Sequence, residues 1–242
     1  MTKFAIVITT YQRPDGKTPE KLTRALNSVN AQRHTDWKVF LMGDRYEDDE
    51  EFNRLASLIP KDKITAINRP EAAERDNYPA GSMQLWCAGG NVSSRAGIDL
   101  ALSEGYEYVC YLDHDDYWHD AHLLHFNNAL EEHPDLVILA SRSLYLSEAN
   151  VLPPPSDPGG YGYIPIRERV IKSATCIKWT CTNIRARDVY KETGQVKPGD
   201  LDLWERFGEE MKEKNMKGFL VDYVTCSHLD ERYTLRSGDK DV

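Results

Sequence analysis

The chain has no apolar run long enough to span a bilayer. Leu136 to Ala140 is one of its longer uninterrupted stretches, so no transmembrane segment is expected. Nor does it carry an excess of basic charge. Its 30 Lys and Arg face 39 Asp and Glu, a formal net charge of −9, which argues against a general nucleic-acid binder with a basic face. Cysteine is scarce: the five thiols are odd in number and scattered, which fits neither a disulfide framework nor a paired zinc motif. Reduced thiols in a cytoplasmic protein are the expectation. The opening "MTKFAIVITTYQRP" lacks a small-residue cleavage site and reads as a first strand rather than a signal peptide. No internal repeat is visible. With 40% apolar and 29% charged residues over 242 positions, the chain is globular and long enough for a sizeable core.

What is present is an alternation of strands and helices. "FAIVITT" (4–10) is a β-branched run suited to a strand buried on both faces. Thr18 followed by Pro19 reads as an N-cap and first helical residue, and Leu22, Ala25, Leu26 and Val29 then repeat at helical spacing. "WKVFLMGD" (37–44), an acidic helix stopping at Pro60, and "KITAIN" continue the pattern. A helix from about Ser93 to Ser103 closes at Gly105, and "YEYVCYLD" is a fourth strand. Asp120 is the expected cap of the next helix, which ends before Pro134, and "LVILASRSLYL" is a fifth strand. The order predicts an α/β fold: an open, mixed but mostly parallel sheet flanked by helices, in a single domain. Residues 69–92 form an unusually long irregular connection, either functional or mobile. The Pro- and Gly-rich segment 150–165 is a surface loop or a linker.

The acidic knot in "YVCYLDHDDYWHD" (108–120) follows directly on the fourth strand. In open α/β sheets, ligands sit at the carboxyl ends of strands. Alternation along an extended end lets Asp113 and Asp115 face one side together, half a site for Mg²⁺ or Mn²⁺ that leaves positions open for phosphate oxygens. The plain alternative is a solvated acidic turn capping the next helix.

"VITTYQRP", "ALNSVNAQRHTDWKVFLMGD", "GNVSSRAGIDLALSEGYEYVCYLDHDD" and "TCTNIRARDVYKETGQVKPGDLDLWERF" occur in that order. Together they resemble the family 2 inverting glycosyltransferases of the GT-A (Rossmann-like) fold, over roughly residues 4 to 237. The resemblance implies a donor nucleotide-binding half (about 1–140) and an acceptor-binding half (about 141–242). It implies a nucleotide-diphosphate sugar donor, a UDP-sugar foremost, a glycan or other hydroxyl acceptor, and Mn²⁺ or Mg²⁺. By the same resemblance Thr10, Tyr11 and Arg13 frame the nucleotide, with Tyr11 alternatively a packing residue. Asp44 meets the base, and Arg95, Asp113 and His114 meet the diphosphate and ribose side. Asp115 and His228 hold the metal, and Arg236 and Ser237 close over phosphate. Asp200 is the general base, with a helix N-cap as its alternative role and Asp202 as its rival.

The chain departs from the family pattern in places. Gly199 replaces the Glu that pairs with the base, the Asn after Arg95 is lost, and the Gly-Ser turn after Asp44 is absent. Trp179 and Trp204 lie on the acceptor side, where they stack on a sugar or fill the core. His119, His122 and His125 are expected on a solvated helix flank rather than in a zinc site. Two other functions fit less well. A sugar nucleotidyltransferase would carry a Gly-rich loop where this chain has Tyr11-Gln12-Arg13-Pro14, and a non-catalytic nucleotide- or carbohydrate-binding module is left open by the missing Glu before Asp200 and the lost Asn after Arg95.

Overall fold

The computed structural model describes residues 1–146, 151–152, 159–165 and 170–229. Arg236 and Ser237, and much of the 150–165 segment, lie outside them. In chain order the elements are β1 (Phe4–Thr10), α1 (Thr18–Asn30), β2 (Trp37–Asp44), α2 (Asp49–Ala56), β3 (Ile64–Arg69), α3 (Met83–Ala88) and α4 (Asn91–Ser103). They continue with β4 (Tyr108–Asp113), β5 (Tyr117–Trp118), α5 (His122–Glu132), β6 (Leu136–Leu146), β7 (Val151–Leu152), β8 (Gly160–Tyr161), β9 (Thr175–Lys178), α6 (Val189–Thr193), α7 (Gly199–Glu213) and β10 (Lys217–Leu229).

All strands join one mixed sheet in the order β3-β2-β1-β4-β9-β6-β10-β5, with β7 on β6 and β8 on β10. The expected α/β architecture is therefore present. The block β3-β2-β1-β4 is parallel throughout. The short β9 then runs antiparallel to both β4 and β6, joining that block to the parallel pair β6-β10. Burial on both faces explains the uninterrupted apolar sequence of β1, where Phe4, Ile6 and Ile8 pack into one core layer and Ala5 and Val7 into the other. The first layer holds α1, through Leu22, Ala25, Leu26 and Val29, together with α5. The second holds α4 and α7, through Ile98, Ala101, Leu203, Trp204 and Phe207. Trp179 and Trp204 are each 1% exposed, so they fill this second layer and present no face to a sugar. Gly97 lets α4 lie directly on the sheet, since a Cβ there would stand 2.7 Å from Val7 Cγ1 and 3.0 Å from Met42 Cγ.

Several local expectations change. The helix begins at Thr18 itself, with Lys17 in the N-cap position, and the Thr18 hydroxyl turns back to accept from the Arg13 N–H (2.9 Å) and donate to the Tyr11 carbonyl (2.9 Å). Asp120 does not cap α5; the N-cap position is Ala121 and no side chain caps there. Of the three histidines of this region, His119 is exposed and His125 half-buried, and only His122 leaves the expected solvated flank. His122 is fully buried, stacked on Trp118 at 4.3 Å, with Nδ1 2.7 Å from Thr225 Oγ1. Burial holds its pKa well below the usual imidazole value, so the ring stays neutral in the core. The α5 face that carries it is pressed against β10 rather than open to water. The five cysteines are all unpaired.

Candidate active site

The carboxyl ends of β1, β2 and β4 stand side by side, with Thr9 in register with Asp113 and Thr10 with Gly43. A cleft of about 730 Å³ opens over these ends, and Thr10, Tyr11, Arg13, Asp44, Asp113, His114, Asp115 and His228 all line it. Four separated stretches of sequence thus meet where a parallel sheet places ligands. Thr18 fixes the Tyr11–Arg13 loop through the two hydrogen bonds above. Thr10 Oγ1 is 2.6 Å from the Tyr46 hydroxyl, which locks β1 to the chain beyond β2.

At one end of the cleft Asp44 is 6% exposed. Arg75 Nε donates to its Oδ2 at 2.9 Å, and Arg75 Nη2 donates to the carbonyls of Asp44 and Arg45. Asp44 Oδ1 is buried without a partner. Arg45 carries φ +51°, a left-handed conformation that is costly for a residue with a Cβ, and Arg75 clamps the peptides on either side. The same guanidinium lies 5.3 Å from the Tyr11 ring centre, and Tyr11 meets His114 edge to face at 5.6 Å. Glu74 is 2% exposed and accepts the Val92 N–H at the start of α4 at 2.8 Å. Burial pushes its pKa up; the Val92 N–H works against that and the nearby Asp44 charge adds to it.

The acidic turn is braced from three sides. The Asp116 N–H donates to the Asp113 carbonyl (3.0 Å), the Asp113 N–H to Ser173 Oγ (3.0 Å), and Arg24 Nη2 to the Asp115 carbonyl (2.7 Å). The three aspartates consequently part company. Asp116 turns inward, 1% exposed, and meets His228 Nδ1 at 2.8 Å. Burial opposes a charge on His228, but the Asp116 carboxylate outweighs it and lifts the imidazole pKa to about 9. Asp113 and Asp115 stay in the cleft: Asp115 is 3.8 Å from an Arg13 Nη, and Asp113 is 3.9 Å from Lys172 Nζ. Among the described residues, no three His, Cys, Asp or Glu side chains are grouped to hold a metal ion by themselves.

Lys172, on a 3₁₀ turn before β9, donates to Ser94 Oγ at 2.7 Å and lies 5.0 Å from the Tyr111 ring centre. Its charge reaches both Asp113 and Asp200. Asp200 sits in the first turn of α7 after Pro198 and accepts the Leu201 N–H at 2.7 Å, so it is not the N-cap. It keeps solvent access while protein crowds it. Desolvation raises its pKa, against the Leu201 N–H and Lys172, and with the help of Asp113. Its rival is committed elsewhere: Asp202 is 3% exposed and bound by Arg187 and Arg206. Gly199 is explained by space, since a Cβ there would collide with the Asn91 side-chain amide.

Arg95 is not brought to this cleft. The buried residues of α4 are Asn91, Ser93, Ser94, Gly97, Ile98 and Ala101, and Arg95 is exposed and not among the residues lining the cleft. The guanidinium groups that line the cleft are Arg13 and Arg75. Arg75, Glu74 and Lys172 were not marked by any motif. The only signal for the first two was the unusual length of the 69–92 connection.

No family model matches the chain. Over 151 residues it is 38% identical to a protein of Acanthamoeba polyphaga mimivirus named as an uncharacterized glycosyltransferase. The chain is a homologue of that glycosyltransferase. The match covers 62% of this chain and 60% of the viral protein, so the chain spans less than two thirds of its relative. Among solved structures it is similar in fold to residues 1–349 of S. aureus TarS, with a TM-score of 0.60 and 13% identity, over 97% of this chain and 63% of that one. Structures of the same protein in complex with UDP and with UDP-GlcNAc match with TM-scores of 0.61, each over 95% of this chain. No helix among the described residues is long and apolar enough to cross a membrane.

Proposed function

We propose that the protein is an inverting glycosyltransferase of the GT-A type that moves a sugar from a nucleoside diphosphate, UDP foremost, to an acceptor hydroxyl. The observation that carries this reading is the convergence of Tyr11, Arg13, Asp44, Asp113 and Asp115 on one cleft at the carboxyl ends of β1, β2 and β4. The viral homologue's name and the likeness to TarS in complex with UDP and UDP-GlcNAc support it.

In this reading Asp44, with its buried unpartnered oxygen, accepts an N–H from the base, while Tyr11 and Arg75 supply a flat wall beside it. Arg13 holds phosphate charge. Asp113 and Asp115, both lining the cleft, would hold a hard divalent cation and leave positions open to it for phosphate oxygens. His228 gives its Nδ1 to Asp116, and as an imidazolium it offers an Nε2–H to a diphosphate oxygen; it would ligate a cation only once that proton had left. When bound, the cation neutralises charge on the departing diphosphate. Asp200 takes the proton from the acceptor hydroxyl as that oxygen attacks the anomeric carbon opposite the leaving group, inverting the centre. Lys172 keeps Asp200 ionised beside Asp113.

The test is thermal stabilisation by UDP, GDP, dTDP and CDP with and without Mn²⁺, followed by product analysis with the matching nucleotide-sugars. Stabilisation by one nucleotide that is lost in Asp115→Ala is expected. Indifference to all four would overturn the assignment.

A further inference from the structure

Two buried carboxylates line the cleft at its Asp44 end, and each has one oxygen without a partner. Asp44 receives Arg75 Nε on Oδ2, which leaves Oδ1. Glu74, the residue before Arg75, is 2% exposed; it receives the Val92 N–H on Oε1, which leaves Oε2. The bond to Val92 has a structural reason. Gly90, the N-cap of α4, has no side chain to cap the helix, and Glu74 Oε1 does so from outside. Nothing in the fold accounts for Oε2. A buried oxygen with no partner costs free energy, and two of them beside one cavity call for a ligand that completes both.

The two oxygens are not equivalent. Asp44 is paired with a guanidinium, which only donates, so Asp44 is an acceptor. Glu74 faces Asp44 from β2, Arg69 from the end of β3, the Val92 N–H from α4, and Tyr78 in its own segment. Burial and the Asp44 charge favour the neutral acid; the Val92 N–H and Arg69 oppose them, and burial prevails. Oε2 can then carry a proton while Oε1 still accepts from Val92. We propose that Glu74 is a second base-reading residue: Asp44 Oδ1 accepts the imide N–H of uracil, and the Glu74 Oε2–H donates to the ring carbonyl oxygen beside it. Acceptor and donor side by side complement that edge. Cytosine turns a bare ring nitrogen to Asp44 and an amino group to Glu74, so both contacts become repulsive. The inference rests on the nucleotide-donor reading and deepens it, naming the groups that exclude CDP.

The test is calorimetric titration with UDP and with CDP, each at saturating Mn²⁺, from about pH 5.5 to 8. The ratio of the two affinities is read, because contacts to the diphosphate, the ribose and the metal are common to both and cancel. Wild type should prefer UDP by at least about tenfold at the acid end. The preference should fall as pH rises, since an ionised Glu74 loses its donor and accepts the cytosine amino group instead. Glu74→Gln keeps an oxygen for Val92 and carries a permanent N–H donor for the base. It should melt close to wild type and hold the UDP preference level across the range. Glu74→Leu should melt lower, for want of the cap, and show a reduced preference at every pH.

The inference fails if Glu74→Leu keeps the wild-type preference, if Glu74→Gln loses it, or if wild type and Glu74→Gln follow one pH course. Each of these results leaves a working nucleotide site in which Glu74 only caps α4. Binding of neither nucleotide to wild type would remove the donor reading itself, and this inference with it.

Discussion

Arg187 grips Asp202 with two parallel hydrogen bonds, Nε to Oδ2 at 2.9 Å and Nη2 to Oδ1 at 2.8 Å, and Arg206 Nε adds a third to Oδ2 at 2.7 Å. Burial alone would raise the Asp202 pKa, but the two arginines outweigh it and hold the carboxyl below its usual value. That stability is present above the ordinary carboxylate range and is lost as pH falls through the lowered pKa. Removing one partner of a buried pair leaves the others uncompensated, so Asp202→Asn should cost about 3 kcal/mol in urea unfolding. The figure is at the low end because the Arg187 side chain keeps 30% exposure. Asp200→Asn, two residues away, should leave stability unchanged or slightly higher and cut kcat by at least about a hundredfold. The reverse pattern would make Asp202 the base.

With Asp200 as the proposed base, it and Lys172 should set the acid side of the pH profile. A base must be ionised, and desolvation raises the Asp200 pKa from its ordinary value. The rate should therefore fall on acidification through that raised value. Lys172 counteracts the rise, so Lys172→Met should move the acid limb of kcat/KM to higher pH, and Lys172→Arg should restore it. An unmoved limb in Lys172→Met would separate the two groups.

Asp44→Ala should weaken UDP about tenfold or more, because it removes both the open acceptor oxygen and the anchor of Arg75. Arg75→Ala should weaken it less and lower the melting temperature by a few degrees, since the left-handed Arg45 loses its clamp. Isothermal titration and melting curves on the same samples distinguish the two effects.

Chelation by EDTA should abolish stabilisation by UDP while leaving the melting temperature of the unliganded protein nearly unchanged, since Asp113 and Asp115 line the cleft and belong to neither core layer. Asp115→Ala should reproduce the chelated behaviour at any Mn²⁺ concentration that saturates the wild type. A nucleotide response that survives both treatments would make the cleft metal-independent.

The sheet was legible because strands buried on both faces read as apolar runs, as in Phe4–Ile8 of β1, Val39–Met42 of β2 and Tyr108–Leu112 of β4. The candidate cleft was legible where its residues close those strands: Thr10, Asp44 and Asp113 sit at ends that periodicity locates. Arg75 and Lys172 escaped because their roles are created by tertiary contact. Arg75 meets Asp44 from 31 residues away, out of a segment with no period to read. Lys172 arrives on a single 3₁₀ turn. His122 was misread for a related reason: spacing on α5 says which residues share a face, but not that β10 offers Thr225 to satisfy a buried imidazole. Thr18 shows the converse, a good cap in sequence whose hydroxyl is diverted to the Tyr11–Arg13 loop.

The missing side chain at Gly199 has a mechanical result. Asn91, first residue of α4, occupies the space a Cβ would need and hands its own amide to the Arg187 carbonyl at 3.0 Å. The helix that bears Asp200 thus leans on the first residue of α4, whose next residue, Val92, is tied to Glu74 beside Asp44. Glu74, Val92, Asn91 and Gly199 thus form an unbroken line of contacts from the Asp44 end of the cleft to the turn that carries Asp200, and any side chain at 199 would pry that line apart.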